Sequence, residues 1–258
     1  MMKILRRIPL YLVKGIKLIA VLIEAIYIIF RYGMHKNNMN PKNARHVQYF
    51  CRRLCATLNI HVQVHGEVPQ QTALWASNHI SFLDIPVLGS AGRVFFLSKA
   101  EIADWFLVGF LARSGGTLFI KRGSGDVNRV SEQMADYLRQ DVPVVFFPEA
   151  TTTNGEKVKK IYGKLFVSAI EAQKPIQIAL ICYLNAQGRL EKNIPFVDIG
   201  FVEHARNVFD IDYKVQAHVK FLPPVDVIGH DVRSLTALVQ QQMEQGLAEL
   251  QAQVITQK

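Results

Sequence analysis

Thr72-Ala73-Leu74-Trp75-Ala76-Ser77-Asn78-His79-Ile80-Ser81-Phe82-Leu83-Asp84 is the stretch on which the fold turns. Residues 72–77 form an apolar, strand-like run, and Asn78 and Ser81 are residue types that open turns and helices. In a uniform helix, positions five apart point about 140° away from each other, so His79 and Asp84 meet only if the chain turns between a strand and a helix. Such a meeting has chemical content. A buried carboxylate fixes the tautomer of a neutral imidazole and steadies the imidazolium that forms when the ring takes a proton from an alcohol. The plainer alternative is an accidental H-x4-D pair, which eight histidines make easy, with His79 capping or packing.

Outward from this stretch the chain alternates. Strand-like runs fall at residues 61–64, 72–77, 94–98, 117–121, 143–147, 176–183, 196–202 and 215–222, and helix-like runs at 100–113, 125–140, 163–173 and 232–253. This pattern predicts an α/β domain whose mixed, largely parallel sheet is flanked by helices. Ligands of such sheets sit beyond the carboxyl ends of the strands, where Asn78-His79, Lys121-Arg122 and Glu149 would emerge together. Trp105, Phe106, Leu107, Phe110 and Leu111 give one helix an aromatic character. It is read as core packing in preference to the wall of an acyl-chain tunnel.

Two later segments bear on the chemistry. Residues 115–123, G-G-T-L-F-I-K-R-G, deliver two cations into a loop from a short strand. Arginine suits an anion there because its planar fork grips two oxygens at once, while solvated surface charge is the ordinary alternative. Residues 144–153, V-V-F-F-P-E-A-T-T-T, are a buried strand ended by proline, followed by a carboxylate and three hydroxyls. Thr152 and Thr153 read as loop caps. Taken in order, N-H-x-S-x-x-D, G-x-x-F-I-x-R and F-P-E-x-T over residues 74–183 resemble the glycerolipid acyltransferase family.

The resemblance implies that His79 is the general base and Asp84 its orienting partner. It implies that Arg122, with Lys121 beside it, binds an anionic head group, and that Glu149 and Thr151 help shape the acceptor site. The reaction implied is transfer of a fatty acyl group from acyl-CoA or acyl-carrier protein to the free hydroxyl of a lysolipid. The acceptor expected first is 1-acylglycerol 3-phosphate, giving phosphatidate, with no metal and no cofactor. The chain departs from the family pattern at Ala150, where glycine is usual, so a backbone needing a glycine-only conformation would have to differ. It departs again at Lys174-Pro175-Ile176-Gln177-Ile178-Ala179, where a second proline is common, and at Tyr162-Gly163-Lys164. These departures keep other lysolipids open as acceptors, lyso-ornithine lipid among them. A non-catalytic membrane-binding scaffold of the same fold is the alternative from another class, and the presence of both His79 and Asp84 counts against it.

Composition points to a membrane surface. The formal net charge of +9 implies an anionic partner. Zinc-ligand spacing, an RNA-binding aromatic signature and a helix-turn-helix are all missing, so phospholipid is expected and nucleic acid is not. Three cysteines suit a reducing compartment, with Cys51 and Cys55 packing rather than bridging. In the first thirty or so residues, Lys3, Arg6, Arg7, Lys14, Lys17, Glu24 and Arg31 fall within an arc of roughly 120°, and the rest of the cylinder is apolar. Lys17 and Glu24 interrupt any run long enough to span a bilayer, so a helix in the interface is favoured, its charged stripe turned to headgroups or protein. A true span with those charges facing a partner is the alternative. A second helix is predicted over 41–58, which divides the chain into membrane-associating helices (1–58) and a catalytic domain (59–258). The basic N-terminus points to the cytoplasmic face of the membrane, and the compactness of the chain to a bacterial inner membrane.

Overall fold

Nine consecutive residues of one strand, β6 (Ile176–Leu184), are buried on both faces, which marks an interior strand of the sheet. The computed structural model describes residues 8–121 and 125–256. The remaining strands are β1 (Ile60–His65), β2 (Leu74–Ser77), β3 (Phe95–Lys99), β4 (Leu118–Ile120), β5 (Val144–Phe146) and β7 (Val215–Phe221), in the order β1-β7-β6-β2-β5-β3-β4. Every neighbouring pair is parallel except β6 with β7. The predicted mixed, largely parallel sheet is therefore present.

Alternation along β6 divides the molecule into two layers. Ile176, Ile178, Leu180, Cys182 and Leu184 face one core. Over that core lie α6 (Val127–Arg139), α7 (Val167–Ala172) and α9 (Val232–Val254), the last supplying Leu235, Val239, Met243, Leu247 and Leu250 at intervals of one turn. Ala179, Ile181 and Tyr183 face the other core. That side is covered by α2 (Ala44–Thr57), α3 (Asp84–Ala91) and α8 (Phe201–Asp210). Between α2 and α3 the backbones come close: a Cβ on Gly89 would stand 2.6 Å from Cys51 Sγ.

The predicted strand at 196–202 is instead irregular chain leading into α8. The sequence P-F-V-D-I-G-F-V alternates like a strand, but Asp198 adopts a left-handed backbone conformation (φ 55°) and Gly200 starts the helix. The predicted helix at 100–113 is two pieces, α4 (Ala100–Ala103) and α5 (Phe106–Ser114), broken at Trp105. Core packing is not the fate of this aromatic segment: Phe106 is 97 % exposed, and Trp105 and Val108 also face outward.

The N-terminal helix α1 (Ile8–Arg31) lies against α2, α5 and α8. Its inward stripe includes Val21, Ala25 and Ile29. Part of its charged stripe also turns to protein. The Lys14 ammonium donates to the Phe209 and Ile211 carbonyls at the C-terminus of α8, where a cation is favoured, and Glu24 accepts from Tyr49 and Arg53 of α2. Leu12, Ile16, Ile19, Ile23, Tyr27 and Phe30 are left as an exposed apolar stripe. Among the described residues no helix is long and apolar enough to cross a membrane.

Candidate active site

At the carboxyl end of β2 the chain leaves the sheet and turns into α3, as the spacing of His79 and Asp84 requires. Asn78 extends the ladder with its side chain: its amide donates to the Ile181 carbonyl at 3.0 Å and accepts from the Ile181 N–H at 2.7 Å. Ser81 shapes the turn by accepting the Leu83 N–H at its hydroxyl. Pro86 stands in the first turn of α3, where its missing N–H costs nothing.

The fully buried Asp84 carboxylate collects four donors. Oδ2 accepts from His79 Nδ1 at 2.8 Å and from the backbone N–H groups of Ile80 and Ser81 at 2.7 and 3.0 Å. Oδ1 accepts from the Tyr183 hydroxyl of β6 at 2.9 Å. With Nδ1 donating to Asp84, the lone pair of the neutral ring lies on Nε2. The ring is held flat on Phe147, centroids 4.0 Å apart and planes 15° apart, and is 19 % exposed. A lone pair on a clamped and partly exposed imidazole is the arrangement a general base needs.

The loop after β5 holds His79 by its backbone. Glu149, 2 % exposed, accepts the His79 N–H at Oε1 and the Lys159 N–H at Oε2, both at 2.8 Å. Thr153 donates to the His79 carbonyl from its backbone N–H at 2.8 Å and its hydroxyl at 3.1 Å. Burial lifts the Glu149 carboxyl above its ordinary value, and the two backbone donors pull the other way. The loop caps expected at Thr152 and Thr153 are present, Thr152 donating to the Phe196 carbonyl. Ala150 keeps a left-handed backbone conformation (φ 57°) without being glycine, so the turn is retained at a cost of roughly 1–2 kcal/mol.

The sequence-derived site residues are thus gathered unequally. His79, Asp84 and Glu149 form one hydrogen-bonded unit. Thr151 is exposed on the same loop, and Lys121 is exposed just beyond β4, at the same end of the sheet but three strands away from β2. Arg122 lies outside the described residues. Tyr183 escaped sequence reasoning, although a tyrosine at the end of an apolar strand signals that its hydroxyl needs a partner. His204 escaped it too; fully buried, it donates from Nε2 to the Ile194 carbonyl at 2.6 Å, beside the Ser81 hydroxyl at 3.3 Å. The cysteines offer no competing nucleophile. All three are free and buried, and burial pushes the thiols of Cys55 and Cys182 up to about 12.

Known proteins resemble this chain in the same region. A family model described as Acyltransferase matches residues 60–181. A lyso-ornithine lipid O-acyltransferase of Pseudomonas aeruginosa is 36 % identical over 218 residues, covering 84 % of each chain. A 1-acyl-sn-glycerol-3-phosphate acyltransferase of Neisseria meningitidis is 30 % identical over 152 residues, 58 % of this chain and 60 % of the relative. The crystal structure of the 1-acyl-sn-glycerophosphate acyltransferase PlsC of Thermotoga maritima superposes with a TM-score of 0.65 over 98 % of both chains, at 20 % identity.

Proposed function

The chain belongs to the acyltransferase family as a lysolipid O-acyltransferase, and from that premise we propose that its acceptor is lyso-ornithine lipid, acylated by His79 as general base. The observation that carries the chemistry is the 2.8 Å contact between His79 Nδ1 and the buried Asp84. Nε2 takes the proton of the acceptor hydroxyl as that oxygen attacks the thioester carbonyl of acyl-CoA or acyl-carrier protein, and Asp84 steadies the imidazolium. Collapse of the tetrahedral intermediate expels the thiolate, which recovers the proton from His79. The new ester bond replaces the thioester, and a free thiol leaves. Tyr183 fixes Asp84, while Glu149 and Thr153 fix the height of His79 at the end of β2. Glu149 serves the acceptor site through the histidine backbone, and recognition of the head group is assigned to Thr151, Lys121 and Arg122 on the strength of the sequence motifs.

The choice of acceptor rests on the Pseudomonas relative, whose similarity runs through most of this chain. A second reading, 1-acylglycerol 3-phosphate, is favoured by the Neisseria relative and by the F-I-K-R segment that ends in Arg122. A competition assay separates them: with both lysolipids present in equal amounts, label from the acyl donor accumulates in ornithine lipid. Accumulation in phosphatidate transfers the assignment to the second reading. Residues 1–58 act here as membrane-associating helices and 59–258 as the catalytic domain. The exposed stripe of α1 rests in the interfacial layer of the cytoplasmic leaflet.

A further inference from the structure

Among the described residues the two most exposed apolar side chains belong to α5 and α8 and not to α1. Phe106 at the start of α5 is 97 % exposed and Val202 at the start of α8 is 82 % exposed, with Trp105 at 37 % and Phe201 at 41 % beside them. The two helix starts touch: the Trp105 and Phe201 rings meet edge to face at 4.7 Å. From there an aromatic path runs inward. Phe201 contacts Phe82 at 5.2 Å, and Phe82 stands in the turn between His79 and Asp84. Apolar side chains exposed together at one edge mark an interaction site.

We propose that Trp105, Phe106, Phe201 and Val202 form a second point of insertion into the lipid bilayer, separate from α1 and directly beside the catalytic turn. Continuity argues for lipid as the occupant. Helix α1 rests on both elements that carry the edge, through Phe30 on Phe110 of α5 (6.1 Å) and through Lys14 and Tyr11 on α8. Its own outward stripe from Leu12 to Phe30 is apolar, with Lys17 and Arg31 exposed beside it. The proposal rests on the lysolipid reading above, because an acceptor dissolved in a membrane must reach His79 from the bilayer. The depth is limited. Exposed Asp104 directly precedes Trp105 and pairs with Arg113 at 4.0 Å, and exposed Glu203 directly follows Val202; these charges stay at the level of the headgroups while the apolar tip enters. α1 then sets attachment, and the aromatic tip sets the orientation that turns the Phe82 side of the catalytic turn toward the acyl chains.

The chain's two tryptophans make the test direct, since Trp75 is only 2 % exposed and sits in the core. The full chain is bound to phosphatidylglycerol–phosphatidylethanolamine vesicles whose acyl chains carry bromine, a contact quencher, and compared with Trp105→Phe. The expected result is strong quenching in the wild type and little in Trp105→Phe. A chain that stays in solution, or that binds with Trp105 unquenched, overturns the proposal. So does an unquenched Trp105 protected by a second copy of the chain. Quenching does not depend on turnover, so it reports bilayer contact even where the acceptor is another lysolipid or the preparation is inactive. A Phe106→Ser/Val202→Ser variant adds a kinetic check. Both side chains already face solvent, so the melting temperature stays put while KM for lysolipid in vesicles rises several-fold and turnover of detergent-dispersed lysolipid is unchanged. An unchanged vesicle KM contradicts the proposal.

Discussion

Asp84 and His218 are both buried polar side chains of the same molecule, and their surroundings differ completely. Asp84, at the catalytic end of the sheet, has four donors on its two oxygens. His218, in β7 toward the β1 edge, is 5 % exposed and shares one contact, Nδ1 with His65 Nε2 at 2.9 Å, while its own Nε2 is buried without a hydrogen-bond partner. Burial alone therefore says little about cost; the partners decide it. At the catalytic end the backbone, β6 and the loop after β5 all supply partners, so the side chains stand ready without rearrangement. At the edge, burial and the neighbouring His65 and His61 push His218 down to about 4. One region uses its hydrogen bonds to hold geometry, and the other is more stable while its imidazole is neutral.

The contrast breaks most visibly at the carboxylate. Asp84→Asn removes the acceptor that selects the His79 tautomer, and kcat should fall by about 10²–10⁴-fold in steady-state assays with little change in KM. A loss below tenfold would mean that the four donors around Asp84 serve folding alone.

Next in size is the acid response of the edge. Because His218 has a lower pKa in the folded than in the unfolded chain, the unfolded state binds more protons below pH 6.5. Its stabilising contribution is therefore full above that value and is lost as pH falls toward 4, up to about 3 kcal/mol for this group. Glu149, raised by burial, acts with the opposite sign, favouring the fold as pH falls toward its usual range. The measurement is accordingly a difference: denaturant unfolding of wild type and His218→Gln between pH 7 and pH 4.5, with the variant showing the flatter profile. Parallel profiles would show that His218 does not control the acid response.

Two smaller tests sharpen the catalytic side. Tyr183→Phe deletes one of the four donors to Asp84 and should cost about 1 kcal/mol of stability, with a decrease in kcat near tenfold. A change in stability without one in kcat would make Tyr183 a core residue only. Ala150→Gly relieves a left-handed alanine, and thermal unfolding should show a gain of about 0.5–1 kcal/mol at unchanged KM.

What the sequence revealed follows the range of the forces involved. β6 was legible because a strand buried on both faces is written as an unbroken apolar run. The H-x4-D turn was legible because strand, turn residues and helix start are local. α8 was not, since residues 196–202 carry a strand's alternation yet form irregular chain leading into a helix whose far end is capped by Lys14, 195 residues away from Phe209. Tyr183 meets Asp84 across 99 positions, and Glu149 meets His79 across 70, so neither pairing leaves a mark in local pattern. The outward turn of Phe106 was hidden for a related reason: an apolar residue in sequence announces burial, and only the fold shows it left exposed.

The central claim is that His79 carries the proton in acyl transfer to a lysolipid. Its most direct test is the rate of labelled acyl transfer from acyl-carrier protein and acyl-CoA to lyso-ornithine lipid by wild type and His79→Ala, with unfolding and vesicle binding recorded on the same preparations. A general base at His79 predicts a fall of at least about 10²-fold in the variant with folding and binding intact. Turnover within a few-fold of wild type would contradict it and leave the His79–Asp84 pair as a structural turn.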